Sequence, residues 1–584
     1  VIVKKMAVLT ITIMTRGCES KQAHSRCQSH QQNRIIFGND YNNMRDKPTI
    51  TIVHVALPLV PQDSTLLQDR LSNSFQIVIK MKNGTNLRRL PVVDLDVSAE
   101  SIPLPLHGID SPFIKPIQTE SQLPRALRSL AQIVDNDLCH RCGSCVGICP
   151  TNVLSCSSDE YPVVTNLAAC TDCDLCVRVC PGDEFDYAAT QKEMFNNTDV
   201  DEHKTHGEFK KAVLAHATDS ELQKLSTSGG LVTATILGMM AAGQADGAVC
   251  LVSDEKTLWK GKVIIARNRT ELFAALKSKY AITATNAIFS EIIATPGRYV
   301  FVGLPCQIHG LHKAMQLNKV LKERIVLTIA LFCHAAIDHE GFRVIWETLP
   351  PDIARRAVRY ISRVGKHPGS PCVELDDGTL YPVYFGHKKG YRPTSIEMIN
   401  MLYRLYTPKR CLTCFDALGE FADIAVGDPW MAPPEKDIIF KDGWSFGLYR
   451  TDRALECLEL LKAQGDINVR EVTRNEALDC NKLMAEEKRL RARRTINNDL
   501  DNGSPVPEYH LVFSAPRGVE KLKSNLNAFT HYLCFCPGVR NQVLKFLLSE
   551  WGYPLLYLNR QRRLLKFRLR DLKARIKQNI FGRR

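Results

Sequence analysis

From residue 205 onward, apolar runs and polar stretches succeed one another in a strand, helix, strand rhythm. Phe209 to Ala217 reads as a strand, Leu231 to Ala242 as an almost continuously apolar helix, and Gly247 to Val252 as a buried strand. A second unit follows, with strands at Tyr299 to Val302 and Ile325 to Phe332 around a helix through His309 to Met315. A short strand at Ala422 to Val426 leads into Gly427-Asp428-Pro429-Trp430; Leu455 to Lys462 is helical in pattern and Ile467 to Val472 strand-like. This order predicts an α/β (α+β) domain with a sheet covered by helices. Upstream, Ala126 to Val134 has the period of a short helix, after a linker punctuated by Pro103, Pro105, Pro112, Pro116 and Pro124. Thr49 to Leu57 alternates like a strand, whereas Cys18 to Asn43 is polar without period, as a disordered leader would be.

Between the first helix and the α/β pattern the chain repeats one spacing twice: Cys139, Cys142, Cys145, Cys149-Pro150 and Cys170, Cys173, Cys176, Cys180-Pro181. Each is C-x2-C-x2-C-x3-C-P, the bacterial ferredoxin run that holds a [4Fe-4S] cubane, in which the fourth thiolate of each run serves the other cluster. One cluster is therefore expected on Cys139, Cys142, Cys145 and Cys180, and its neighbour on Cys170, Cys173, Cys176 and Cys149. Zinc would ask for ligands in pairs, and two identical registers of four argue against a disulfide framework. The 21 cysteines thus point to metal ligation in a reducing compartment. Length agrees: 584 residues with 45% hydrophobic content suffice for several domains with real cores. Lys4 and Lys5 before the apolar run Met6 to Met14 resemble a signal peptide only faintly, since Arg16 stands where small residues belong. No run reaches the roughly 20 apolar residues of a spanning helix.

Two further features carry chemistry. Ser226-Thr227-Ser228-Gly229-Gly230 lies between a strand and the helix from Leu231, where backbone N–H groups can face a phosphate; an ordinary helix cap would use the same residues. Neither G-x-G-x-x-G nor a Walker run is present. Cys306, Cys333, Cys411 and Cys414 stand at strand ends or in turns, and can converge on a third cluster; the alternative is that Cys306 and Cys333 fill the core while Cys411 and Cys414 hold zinc.

Residues from about 135 to 475 resemble the beta subunits of coenzyme F420-reducing hydrogenases and dehydrogenases, a family that includes the plant 7-hydroxymethyl chlorophyll a reductase. The motifs that carry the likeness are Cys180-Pro181-Gly182, the Ser226 to Gly230 turn, Ser278-Lys279-Tyr280, Gly303-Leu304-Pro305-Cys306-Gln307, Phe332-Cys333-His334, and Cys411-Leu412-Thr413-Cys414 followed by Ala422 to Asp428. The resemblance implies a non-Rossmann FAD domain, a [4Fe-4S] cluster near the flavin on Cys306, Cys333, Cys411 and Cys414, and FAD contacts from Ser226, Thr227, Ser228, Gly229 and Gly230 with Ser278, Lys279 and Tyr280. Lys279 and Tyr280 are the candidates for orienting substrate or flavin, against a bland reading as packing side chains. Two positions depart from the family pattern: Ala335, Ala336 and Asp338 follow Cys-His, and Lys277 precedes Ser-Lys-Tyr where glycine is usual.

Clusters pass single electrons and hydride acceptors take pairs, so a flavin is the needed converter. The expected activity is that of an iron-sulfur flavoprotein oxidoreductase, exchanging electrons between a ferredoxin-type donor or partner subunit and F420 or an organic substrate. A relay subunit without substrate chemistry and a metal-binding scaffold are the alternatives. The expected domains are an extension and linker at 1–125, a ferredoxin-type module at 126–190, the two parts of the FAD domain at 205–290 and 291–475, and a C-terminal extension at 476–584. Net charge is +14, and residues 560 to 584 hold eleven Lys or Arg against the single acid Asp571. Leu565, Leu569, Leu572, Ile576 and Ile580 recur there at helical spacing. Such a basic amphipathic helix suits an anionic membrane surface, an acidic partner subunit, or plain solvation. Nucleic acid is not expected, because no recognition module accompanies the charge. The expected location is the cytoplasm, with the inner membrane surface as one reading of the tail, in an oligomer or complex.

Overall fold

The computed structural model describes residues 123–562 and a few positions as far as 572, except 198–199, 202, 366–368, 385–387, 391–393, 431–442, 519 and 523–536. The leader, the strand at Thr49 to Leu57 and most of the linker lie outside the described residues, as do Ile576 and Ile580 of the basic tail. The described residues all belong to one compact unit.

The ferredoxin-type module opens with the helix Arg125–Asp135, which buries Leu127, Leu130 and Val134. Strands β1 (Leu154–Cys156) and β2 (Pro162–Val164) pair antiparallel between the two cysteine runs. The sequence repeat is also a conformational one. Arg141 and Asp172, at matching places in the two runs, both have left-handed backbone, and so do Gly143 and Asp174. Gly143 has no alternative, since a Cβ there would stand 2.7 Å from the Ala287 nitrogen. That close approach seats the first run against the rest of the chain.

Eight strands build the main sheet: β3 (Lys211–Ala217), β4 (Gly247–Ser253), β5 (Gly261–Ala266), β6 (Tyr299–Gly303), β7 (Ile325–Leu331), β11 (Ile424–Gly427), β12 (Ser445–Tyr449) and β13 (Ile467–Glu471). Their order is β13-β3-β12-β11-β7-β6-β4-β5. The neighbours β11, β7, β6 and β4 run parallel, and antiparallel strands flank them. Parallel strands covered on both faces are apolar almost throughout, as Ile-Val-Leu-Thr-Ile-Ala-Leu in β7 is. Leu327, Ile329, Ile424 and Val426 pack beneath the helices Leu231–Ala241 and Asp452–Gln464. Phe301, Ala330 and Ala425 face the helix Pro305–Leu317 and, beyond it, the ferredoxin-type module. The sheet therefore joins the segments 205–290 and 291–475 into one layer.

Sequence pattern located most of these strands to within two residues but missed β5 and β12. It also missed a small sheet of β8 (Ala357–Val364), β9 (Ser370–Leu375) and β10 (Leu380–Pro382), in the order β10-β9-β8. β12 carries Gly447 in a five-residue strand, and β8 interleaves arginines, so neither shows a clean alternation. The segment expected as a C-terminal extension from 476 packs on the rest of the chain. Its helix Lys482–Asp501 buries Ala485, Lys488, Arg489, Arg491, Ala492 and Ile496 against the main body.

Candidate functional site

None of the cysteines named as ligands is in a disulfide, and they gather in three sets. Burial, then Cys180, raises the Cys139 thiol, with Cys142 adding. Cys145 is raised by burial and then by Cys139, Cys180 and Cys142, with Cys176 of the other run farther off. Cys176 is pushed up to about 12 by burial and then by Cys149, Cys173 and Cys170. Cys180 thus bears on thiols of the first run, while Cys149 lines one small cavity with Cys170, Cys173 and Cys176. Cys173 is exposed, whereas Cys142, Cys145 and Cys180 are buried, so one set faces solvent and the other lies inside.

The third set forms where β6, β7 and the turn before β11 meet. Cys306 is raised by burial and then by Cys414, Cys333 and Cys411, with Cys142 of the inner set next. Burial likewise lifts Cys333 to about 11, opposed by Lys488 and reinforced by Cys411 and Cys414. Crowded buried thiols resist becoming thiolates unless a cationic centre offsets the charge, which is what iron supplies. The inner set and the third set fit clusters on this ground. Among the described residues no three His, Cys, Asp or Glu side chains converge on a point that one metal ion would occupy; a cubane asks instead for thiolates at the corners of a larger body.

Next to Cys333 opens a cavity of about 1270 Å³. Its floor is the carboxyl edge of the parallel strands, with Gly303, Leu331 and Gly427 and the residues that follow them. That edge is where open α/β sheets bind ligands. Ser226, Thr227, Ser228, Gly230, Ser278, Lys279 and Tyr280 all line it. Gly229 does not: its N–H donates to Ser445 Oγ at 3.0 Å and its carbonyl accepts from Ala217 N at 2.7 Å. A Cβ on Gly229 would lie 2.5 Å from the Ala215 oxygen, so this glycine lets the turn pack on β3 and β12 rather than approach a ligand. Ser228 Oγ is likewise turned inward, to the Trp444 carbonyl. Thr227 Oγ1 accepts from Ser278 N at 3.1 Å, fixing the two expected contact segments together.

The Lys279 ammonium donates to the carbonyls of Ala275 and Leu276 at 2.8 and 2.9 Å, at the end of the helix Arg269–Ala274. Burial presses its pKa down to about 8. Tyr280 meets Arg363, whose guanidinium holds Asp428 Oδ2 at 2.7 Å.

The two departures from the family pattern find structural reasons. Lys277 has φ of 73° in the left-handed region, and its Nζ donates to the Ser226 carbonyl at 3.3 Å. Asp338 pairs with the buried Arg141 of the ferredoxin-type module at 2.7 Å and caps the helix His339–Glu347. Ala335 and Ala336 line the cavity.

Sequence reading missed Asn481 and Arg491, also on the cavity wall. Among the described residues, Ser226 Oγ, Asn481 Oδ1 and Arg491 Nε are buried without a hydrogen-bond partner. Buried polar atoms are rarely left so, and three on one wall suit a polar ligand. Neither Asn481 nor Arg491 sits in a motif, so only the fold could bring them here.

Comparison with known proteins gives three matches along the chain. Residues 131–194 match the 4Fe-4S dicluster domain. Residues 212–289 match the N-terminal part, and 297–475 the C-terminal part, of the family described as coenzyme F420 hydrogenase/dehydrogenase, beta subunit. The coenzyme F420-dependent sulfite reductase of Methanocaldococcus jannaschii is 26% identical over 62% of this chain, a match spanning only 52% of that protein's length. The coenzyme F420 hydrogenase subunit beta of Methanothermobacter thermautotrophicus is 23% identical over 52% of this chain and 99% of its own. A chain of the xenon-derivatised F420-reducing [NiFe] hydrogenase complex from Methanosarcina barkeri aligns with a TM-score of 0.39 and 19% identity, over 51% of this chain and 93% of that one.

Proposed function

We propose that this chain, which carries both beta-subunit domains of the coenzyme F420 hydrogenase/dehydrogenase family behind a dicluster domain and belongs with that family, is an iron-sulfur flavoprotein oxidoreductase. Electrons enter at the solvent-facing set around Cys173, pass to the set of Cys139, Cys142, Cys145 and Cys180, and reach the third set of Cys306, Cys333, Cys411 and Cys414. The observation that carries this reading is adjacency: Asn286 binds the Cys142 carbonyl at 2.8 Å and the Gln307 carbonyl, one residue past Cys306, at 2.9 Å, and Cys333 stands in the cavity wall.

FAD is the group proposed for the cavity, held by Ser226, Thr227 and Gly230, by Ser278 and Tyr280, and by the unpartnered Ser226 Oγ and Asn481 Oδ1. Bound there, it supplies the exchange between single electrons and pairs. Lys279, engaged by two carbonyls, shapes the wall rather than reaching a substrate. The acceptor or donor is F420 or an organic molecule meeting the open side of the cavity, and the electron partner is a ferredoxin or a neighbouring subunit in the cytoplasm. A relay role within a larger complex is the second reading, favoured because relatives carry the name of a hydrogenase subunit.

The test is anaerobic reconstitution of the full chain. About twelve irons and one FAD per chain, with turnover of F420 or unsaturated substrates by reduced ferredoxin, are expected. Flavin reduction without turnover supports the relay, and a chain without flavin overturns both. Cys306→Ala or Cys414→Ala is expected to lower iron to about eight.

For the tail, we propose peripheral contact with an anionic membrane surface. Leu565, Leu569 and Leu572 are exposed, and among the described residues no helix is long and apolar enough to cross a membrane. Co-sedimentation with phosphatidylserine vesicles, lost on removal of residues 560–584, tests it.

A further inference from the structure

The helix Lys482–Asp501 begins beyond the matched family domains, which end at 475, yet it closes over the third cysteine set. Lys488 is 1% exposed, and its Nζ donates to the carbonyls of Cys333 at 2.8 Å and Asp416 at 2.6 Å. One helical turn later Arg491, 9% exposed, donates to the carbonyls of His334 at 2.8 Å and Cys411 at 3.3 Å. Residues three apart share a helix face, so both cations bear on the loops that present Cys333 and Cys411.

These two cations differ from their helical neighbour. Arg489 is paired with Glu420. Lys488 and Arg491 meet carbonyl oxygens, which satisfy N–H groups but do not neutralise charge. Asp416, whose carbonyl takes Lys488, keeps its carboxylate charge among the amides of Leu418, Gly419 and Glu420 and 3.0 Å from His309 Nε2, so it offsets part of the charge of Lys488; the exposed Glu487 bears on Arg491 from the same helix. Burying two cations with too little negative charge beside them is disfavoured. The other source of negative charge beside them is the cysteine set, whose Cys333 and Cys411 carbonyls the two cations bind. Four thiolates on a [4Fe-4S] core carry a net charge of about −2, and uptake of one electron adds another negative charge.

We propose that Lys488 and Arg491 are the counter-ions of the third cluster, positioned to balance its charge and to raise its reduction potential. This rests on the assignment of a third cluster. The consequence is that an electron reaching the third cluster is better tolerated there, because the added negative charge lies beside two buried cations. The residues act through the cluster and touch no substrate in that role.

The experiment is a redox titration followed by electron paramagnetic resonance, on the anaerobically reconstituted full chain and its Lys488→Met, Lys488→Arg and Arg491→Met variants. Lys488→Met is expected to move one of three midpoints to more negative potential while the other two stay, and Lys488→Arg to restore it. Should Lys488→Met instead lose about four irons, retention of all of them by Lys488→Arg supports the same role, because charge rather than shape is then what the cluster needs. Full iron with unchanged midpoints in both methionine variants overturns the proposal, and so does equal damage in Lys488→Arg and Lys488→Met. Altered flavin retention in Arg491→Met with no midpoint moved overturns it for Arg491, assigning that cation to the cavity ligand. A wild-type chain with only about eight irons removes the third cluster itself, a result read before any variant is made.

Discussion

Asn286 Nδ2 donates to Ser144 Oγ at 2.8 Å, while Asn286 N donates to the Cys142 carbonyl at 2.8 Å. The same amide group reaches the Gln307 carbonyl at 2.9 Å, so one fully buried side chain ties the inner ferredoxin-type run to the residue after Cys306. Gly310 completes the joint, since a Cβ there would stand 2.2 Å from Ser144 Oγ.

Asn286→Ala leaves Ser144 and Gln307 without this donor in a buried site. Loss of about 1–3 kcal/mol of stability is expected, read as a lower denaturation midpoint. Slower electron passage from the ferredoxin-type clusters to the cavity, by stopped-flow reduction, should accompany it.

Asp423 is the anchor beneath β7 and β11. Its Oδ2 accepts from Thr328 N at 2.9 Å and Thr328 Oγ1 at 2.8 Å, and its Oδ1 from Thr451 Oγ1 at 2.7 Å. Asp423→Ala strands these donors inside the sheet and should cost about 3 kcal/mol or more, while Asp423→Asn, which keeps acceptor capacity on one oxygen, costs less. Thermal unfolding of the two variants orders them.

Burial, reinforced by Asp416 and opposed by Arg489, lifts the Glu420 carboxyl from its ordinary 4.5 to about 7. The folded chain then binds a proton that the unfolded chain releases between those two values, so this residue's contribution to stability falls as pH rises from about 4.5 to 7. Glu420→Gln should flatten that part of the stability profile, measured by denaturant unfolding at pH 5, 6 and 7. An unchanged slope would show that Glu420 is ionised throughout.

Lys277 occupies left-handed backbone, which costs a side-chain residue about 1 kcal/mol relative to glycine. Lys277→Gly relieves this and gives up the bond to the Ser226 carbonyl, so stability should stay within about 1 kcal/mol of wild type. Flavin release should quicken, because the cation lies on the cavity wall. Fluorescence of released flavin on dilution checks this.

The cysteine runs and the apolar strands were legible because both are local: four thiolates at fixed spacing define a cluster loop, and a fully covered parallel strand must be apolar throughout. Short strands with glycine or arginine, such as β12 and β8, escaped because their burial depends on neighbours rather than on their own period. What tertiary structure alone decided is the surroundings of the site. It turned Gly229 inward, occupied Lys279 with carbonyls, gave Asp338 to Arg141, and brought Asn481, Lys488 and Arg491 from beyond 476 onto the cavity and its cysteines. No motif marks those residues, since a lone polar side chain on a helix gains meaning only from the buried group it faces.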